Sequence, residues 1–435
     1  MVNENNLIFD FSALKLKPLV KDLKPLQAEV EIMKKAITKE YDSEYASLAL
    51  PSDFNQLAAI EQVFAKVKDA QILVVIGIGG SNLGTLAVYQ AMKGLYANEL
   101  NEKKVYFADT CDSLALVDII EKLKEHVLNK QKIVVNIISK SGGTTETIAN
   151  FNVIMHTLRR IQKEWREYVV VTTEKDSKLY AYAKNQGFET LLIPNTVGGR
   201  YSVLSTVGLF PLKFLGVDIR KLVHGAFFMR KTCLEKEFKN NPAMQSAFAI
   251  FSHAKTQSVV NSFFFASQLE GIGRWYRQLF AESLGKEKDR QGKIVHTGLT
   301  PTTAIGSTDL HSMAQLYLGG PNVTFHVFVN IASVTEKVLD IDPELEQIVS
   351  HIGGKSTHVL MDAILNGTRT AFIQKNRPLY SITLPQLSEE TIGALLQMKM
   401  MEVMLLAKLF NVNPFDQPNV EEYKIVTKKL LAALK

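Results

Sequence analysis

Two segments of this chain place glycines, hydroxyls and a lysine where a chain reversal could wrap an anion. Gly77-Ile78-Gly79-Gly80-Ser81-Asn82-Leu83-Gly84 follows directly on the apolar run Ile72 to Ile76. Glycine lets the main chain approach a ligand closely, and the free N–H groups that open a following helix attract phosphate. A dinucleotide fingerprint requires a third glycine in G-x-G-x-x-G, but Asn82 stands there. The second segment, Ser139-Lys140-Ser141-Gly142-Gly143-Thr144-Thr145-Glu146-Thr147, follows the run Ile133 to Ile138 and offers hydroxyl and main-chain donors to an oxyanion. Taken alone, the first favours an anion-binding loop over a plain tight turn, and the second could also serve as a helix cap. Together, at the ends of nearby strands, they mark a ligand crevice. Neither has the GxxxxGK[ST] order, so nucleotide hydrolysis has no support.

The elements that carry these segments alternate from about residue 55. Leu57, Ile60, Val63, Phe64 and Val67 recur at helical spacing, and Ile72 to Ile76 is the short β-branched run of a strand buried on both faces. The pattern repeats through strands at Val105, Ile133, Val169 and Thr190, with helices after Ser81, near Leu114, from Thr144 and near Tyr180. This predicts a doubly wound α/β domain with a predominantly parallel sheet over residues 50–195. A second α/β domain is expected over 196–425, with strands at Val259 to Phe265, Val323 to Asn330 and Tyr380 to Leu384. Its expected helices are Gln268 to Glu282, Asp309 to Leu318 and Leu396 to Phe410, the methionines of the last serving packing. Residues 1–49 read as an amphipathic helical segment and 420–435 as a terminal helix, both packing on the domains.

Composition narrows the partners. The chain has 435 residues, 46% hydrophobic and 22% charged, which fits two or three globular domains and excludes a disordered or fibrous protein. The net charge of +6 comes without a long Lys/Arg block, so nucleic acid is a poor partner and a small anion a better one. The cysteines, Cys111 and Cys233, form no CxxC, and a reducing cytoplasm is expected. No signal-peptide pattern and no run of about 18 apolar residues points to secretion or a membrane. The nine histidines are dispersed without HExxH or HxH, so no metal and no cofactor are expected.

Further motifs lie along the chain in order: Gly198-Gly199-Arg200-Tyr201-Ser202, Phe280-Ala281-Glu282-Ser283-Leu284-Gly285-Lys286, Thr308-Asp309-Leu310-His311-Ser312 and Phe415-Asp416-Gln417-Pro418-Asn419 through Lys424. With the two loops, they resemble the glucose-6-phosphate isomerase family, built from two sugar-isomerase domains. The resemblance implies aldose–ketose isomerisation of a sugar 6-phosphate through a cis-enediolate, in glycolysis and gluconeogenesis. It implies Glu282 as the base between C1 and C2, on a helix whose Trp275, Leu279 and Phe280 partly dry it, and Arg200 as the cation beside the enediolate. His311 and Lys424 would open the ring, the histidine coming from a neighbouring subunit of a homodimer. Ser139, Lys140, Ser141 and Thr144 would hold phosphate, Gly80 and Ser81 would lie against the sugar, and Glu146 and Gln417 would be further polar groups.

Two departures from the family pattern bear on the site. Asn419 stands where glycine is usual, and is expected to tolerate a left-handed turn. Gly142-Gly143 replaces bulkier residues and predicts a more flexible phosphate loop. Three other functions compete. A phosphomannose or dual-specificity isomerase is generally shorter. A silent sugar-phosphate sensor need not keep Glu282, His311, Arg200 and Lys424. A nicotinamide dehydrogenase rests on Gly77 to Gly84 and Asp109.

Overall fold

In a computed structural model, the structure describes residues 6–38, 40–334 and 342–434. The first unit is a five-stranded sheet of β2 (Ile72–Ile76), β3 (Lys104–Ala108), β4 (Ile133–Ile138), β5 (Val169–Thr173) and β6 (Glu189–Leu192), ordered β3-β2-β4-β5-β6. Every pairing is parallel. All five residues of β2 and all six of β4 are buried, as expected of strands covered by helices on both faces. The chain leaves β2 for β3 on one side and crosses back to β4 on the other. The loops after β2 and β4 therefore border the crevice where the winding direction switches, the place where open α/β sheets take ligands.

Three helices of this unit begin where a side chain caps them. Asp53 accepts from the N–H groups of Asn55 and Gln56 at the start of Phe54–Val67, Asp112 caps Ser113–Leu128, and Ser177 caps Lys178–Gln186. A buried amide also fixes the sheet's register, because Asn136 in β4 donates to the Val170 carbonyl and the Thr172 hydroxyl.

The second unit has the order β1-β12-β11-β7-β10, from β1 (Ile8–Asp10), β7 (Val259–Phe264), β10 (Thr300–Ile305), β11 (Thr324–Ser333) and β12 (Leu379–Gln386). Its pairings are parallel except for β1, which adds antiparallel to β12. A short antiparallel hairpin, β8 (Lys286–Lys288) with β9 (Ile294–Thr297), follows the helix Glu270–Leu284. The fold is thus the expected pair of doubly wound α/β units. One continuous core runs from Leu73 and Val75 of the first sheet to Phe325, Val327 and Tyr380 of the second.

Several elements differ from the sequence reading. The segment before residue 50 holds the helix Val20–Lys35 but also donates the edge strand β1; residues 1–5 lie outside the described residues. Three residues are too few to show a period. Asp309 to Leu318 is no single helix: a turn at Thr308–Leu310 precedes a short helix at Ala314–Gly319. The last long helix begins earlier, at Glu389, capped by Ser388, and Met398, Met400, Met401 and Met404 on it are fully buried as packing. The same helix buries a charged pair, Lys399 and Glu402, 3.0 Å apart. Glu402 also accepts from Tyr276, Tyr380 and Ser246, so the helix Glu270–Leu284 is tied to it through Tyr276.

Candidate active site

Arg200 organises the cleft between the units. It lies on a single 3-10 turn, Gly199–Tyr201, and is 3% exposed. A guanidinium so buried must satisfy its donors internally. Nε donates to the Ser283 hydroxyl at 2.8 Å, and Nη1 to the Gln417 side-chain oxygen at 2.7 Å and the Glu282 carboxylate at 3.3 Å. Nη2 donates to the carbonyls of Pro414 at 2.5 Å and Asp416 at 3.0 Å. Residues separated by more than two hundred positions are thereby gathered around one fixed cation. Tyr201 beside it is fully buried, which pushes its phenol pKa up, and its hydroxyl stands 3.1 Å from Ser283.

Glu282 is on the last turn of Glu270–Leu284, one third exposed, and faces Arg200 on one side. On the other, Gln278, one helical turn earlier, donates to it at 3.2 Å. The first loop approaches the same place. Gly79 has φ of +61°, and a side chain there would meet the Gln278 amide at 2.9 Å. A Cβ on Gly80 would stand 2.2 Å from the Gly199 carbonyl carbon, so only glycine fits between the first loop and the arginine turn. The Ser202 hydroxyl ties the two at the Gly80 carbonyl, 3.3 Å away. Ser81 belongs to the same turn and is half-buried.

The second loop starts beside the first, because Ile76 pairs with Ile137 and Gly77 packs on Ile138. Ser139 and Thr144 hydroxyls are 3.1 Å apart across its neck, Ser141 is exposed, and Lys140 lies 3.7 Å from Glu174. Gly142 is not a free hinge: it is buried at φ +67°, with Leu179 2.8 Å from where its Cβ would be. Gly143 is exposed and has open space around it.

Lys424 is on the terminal helix Val420–Ala433, none of whose residues is buried, and pairs with Glu421 at 2.7 Å. That hydrogen bond raises the lysine pKa against a smaller effect of burial, and the Glu146 carboxylate is near enough to add to it. Asn419 has φ of −68°, so the left-handed turn expected there is not formed; an ordinary helical entry serves instead. His311 is exposed on the turn after β10, and no contact among the described residues joins it to Glu282 or Arg200. The geometry thus brings Arg200, Glu282, Gln417 and Gly80 together, sets Ser139, Lys140, Ser141 and Thr144 on the adjacent loop, and leaves His311 and Lys424 outside direct contact.

Three residues assigned no role from the sequence belong to this network. Gln278 was discoverable, being four residues before Glu282 and so on the same helix face. Ser283 and Lys286 lay inside the motif Phe280 to Lys286, but nothing in the sequence said what they would touch, and Lys286 falls beyond the end of the helix. The buried Lys286 ammonium, its pKa lowered chiefly by burial and partly restored by Asp416, holds the Asp416 carboxylate at 2.8 Å and its carbonyl as well. It fixes the segment from which the terminal helix departs.

Two predominantly parallel sheets, two glycine-rich loops at a switch point and a carboxylate held between an arginine and an amide are the arrangement of a sugar-isomerase type of enzyme. Residues 54–435 match the family described as "Phosphoglucose isomerase". The chain is 33% identical to the glucose-6-phosphate isomerase of Carboxydothermus hydrogenoformans, over 86% of this chain and 82% of that one. It is 34% identical to the glucose-6-phosphate isomerase of Thermus thermophilus, over 88% and 89%. A crystal structure of a hypothetical protein, also from Thermus thermophilus, superposes with a TM-score of 0.87 at 30% identity, covering 98% of this chain and 100% of that one. The fold is also that of a glucose-6-phosphate isomerase from Chlamydia trachomatis, at a TM-score of 0.77 and 20% identity, covering 99% and 82%. This chain belongs to the phosphoglucose isomerase family and is a phosphosugar isomerase.

Proposed function

We propose that this enzyme interconverts glucose 6-phosphate and fructose 6-phosphate by proton transfer, without metal or cofactor. The reading is carried by Glu282 standing 3.3 Å from a buried, permanently charged Arg200, which sets a base beside a cation where an enediolate would form. The hydroxyls of Ser139, Ser141 and Thr144 and the Lys140 main chain hold the phosphate, remote from the reacting carbons. Gly80 and Ser81 lie against the sugar, with Gln417 and Glu146 as polar neighbours.

The chemistry follows from these roles. His311, supplied by the second subunit of a homodimer, and Lys424 exchange protons with the ring oxygen and the C1 hydroxyl to open the ring. Glu282 takes the proton from C2 of the open aldose, and the electron pair moves into a C1–C2 double bond as the carbonyl oxygen gains negative charge. Arg200 meets that charge. The same carboxyl returns the proton to C1 while the C2 hydroxyl proton passes to the O1 oxyanion, leaving a C2 carbonyl and a C1 hydroxyl, and the ketose results. Lys424 must exchange Glu421 for the substrate to take part.

The enzyme would act in the cytoplasm, in glycolysis and gluconeogenesis. The deciding experiment compares turnover of glucose 6-phosphate and mannose 6-phosphate by the purified protein. Preferential conversion of the glucose ester to fructose 6-phosphate supports the assignment, and equal rates replace it with a dual-specificity enzyme.

A further inference from the structure

A cavity of about 270 Å³ opens between the helices Thr145–Ile161 and Lys178–Gln186, with Gly142 of the second loop as part of its wall. Ile148, Phe151, Met155, Leu179 and Tyr182 line it. Three of these belong to the buried core, but Ile148 and Tyr182 are 37% and 38% exposed, so apolar surface faces the opening. Tyr182 meets Phe151 edge-on, at 6.5 Å between centroids. That arrangement suits a flat aromatic body in the same space.

The polar part of the lining has one sign. Arg159 and Lys178 contribute two cations, Asn152 an amide, and none of the lining residues is a carboxylate. Arg159 lies over the Trp165 ring, 5.0 Å from its centroid, which fixes its direction without neutralising it. Lys178 opens its helix, whose N-terminal end adds positive potential. No carboxylate pairs with either cation among the described residues. The volume falls just under the roughly 300 Å³ at which small-molecule sites begin, too small for a peptide segment. A phosphosugar, polar on every side, is a poor match for this apolar lining.

We infer that this cavity is a second binding site, distinct from the phosphosugar cleft, for a small aromatic carboxylate, and that its occupant acts on the phosphate loop. The route is short. Leu179 bounds the cavity and stands 2.8 Å from where a Cβ on Gly142 would be, and the Ser177 hydroxyl that caps the same helix is 2.9 Å from the Thr173 hydroxyl. Thr173 in turn donates to the Ser139 carbonyl at 2.6 Å. An occupant that displaces Leu179 or Lys178 therefore moves the groups that set Ser139 and Gly142. The binding half of this inference stands on the cavity alone, while the coupling half rests on the loop holding the substrate's phosphate.

Calorimetric titration of the full-length protein with 2-naphthoate tests it, with 2-naphthylmethanol as the uncharged control. One naphthoate is expected per chain, weakened about tenfold in the Arg159→Gln/Lys178→Gln double variant, as expected when a charge-assisted contact is lost. The alcohol should bind less tightly, and Asn152→Trp, at an exposed position on the cavity, should block binding. Saturating naphthoate should alter KM for the sugar phosphate at least about twofold with kcat retained, and do nothing in Asn152→Trp, because the loop grips phosphate and not the reacting carbons. Absence of binding, binding that persists in Asn152→Trp, or competitive displacement by glucose 6-phosphate overturns the site. Binding that obeys the variants but leaves KM unchanged overturns the coupling. Neither readout by calorimetry depends on which sugar is turned over, so failure here is separable from failure of the isomerase assignment.

Discussion

Glu282 is aimed from two sides, by Arg200 and by Gln278, so its replacement separates chemistry from binding. Glu282→Gln keeps the side chain's shape and one oxygen to accept from Arg200, replaces the other acceptor by an amide donor, and cannot accept the C2 proton. Its kcat should fall by about 10² to 10⁴, the usual worth of a positioned base, with KM nearly unchanged. Steady-state kinetics decides, and an unaltered kcat removes Glu282 from the mechanism. Thr144→Ala should do the opposite, raising KM and sparing kcat. At this scale the sequence was most readable where residue identity carries chemistry, as in Arg200 and Glu282. It was least readable for Lys286 and Ser283, whose roles come from what the fold sets against them.

Among the elements, the helices Glu270–Leu284 and Glu389–Phe410 depend on a charge buried between them. Lys399→Met leaves the Glu402 carboxylate without its cation and should cost about 3–5 kcal/mol in chemical denaturation. Lys399→Met/Glu402→Met should recover much of that loss, because no charge then remains to be buried. The second sheet carries a separate pH signature at His326 of β11, which is 1% exposed. Burial, aided by Arg377, pushes its imidazole from the ordinary 6.5 down to about 3. Below pH 6.5 the unfolded chain takes a proton that the native protein refuses, so stability falls as pH drops from 6.5 toward 3. His326→Gln should remove about 1.4 kcal/mol per pH unit from that slope, measured by denaturation at several pH values. Most parallel strands of both sheets were readable because they are short apolar runs, rich in β-branched or aromatic residues. β10, Thr-Pro-Thr-Thr-Ala-Ile, was not: it lacks both a continuous apolar run and a strict alternation, and its strand state comes from pairing with β7.

At the scale of the whole molecule, the terminal helix stands apart. It shows Ile425, Val426, Leu430 and Leu431 to solvent, each about half exposed or more, and buries none of its residues. Its periodicity announced a helix expected to pack on the domains, but among the described residues it buries nothing, because periodicity alone says nothing of what covers a helix; the position of Lys424 therefore could not be read. The proposed homodimer would give His311 a contact with the cleft that it does not make among the described residues of one chain. Sedimentation should show twice the 48.6 kDa chain mass, and specific activity should fall on dilution below the dissociation constant. A fully active monomer would show that the histidine is not shared.

The contact between Gly80 and the Gly199–Arg200 peptide has a consequence for how such proteins can be rebuilt. It is a join with no side chain on one face, through which the glycine turn of one half constrains the backbone path of the other. A hybrid gene that took its first half from one relative and its second from another would tolerate many mismatches at helix surfaces, where side chains can repack. At this join it would tolerate none, and a single added methyl would misplace the arginine in an otherwise folded protein.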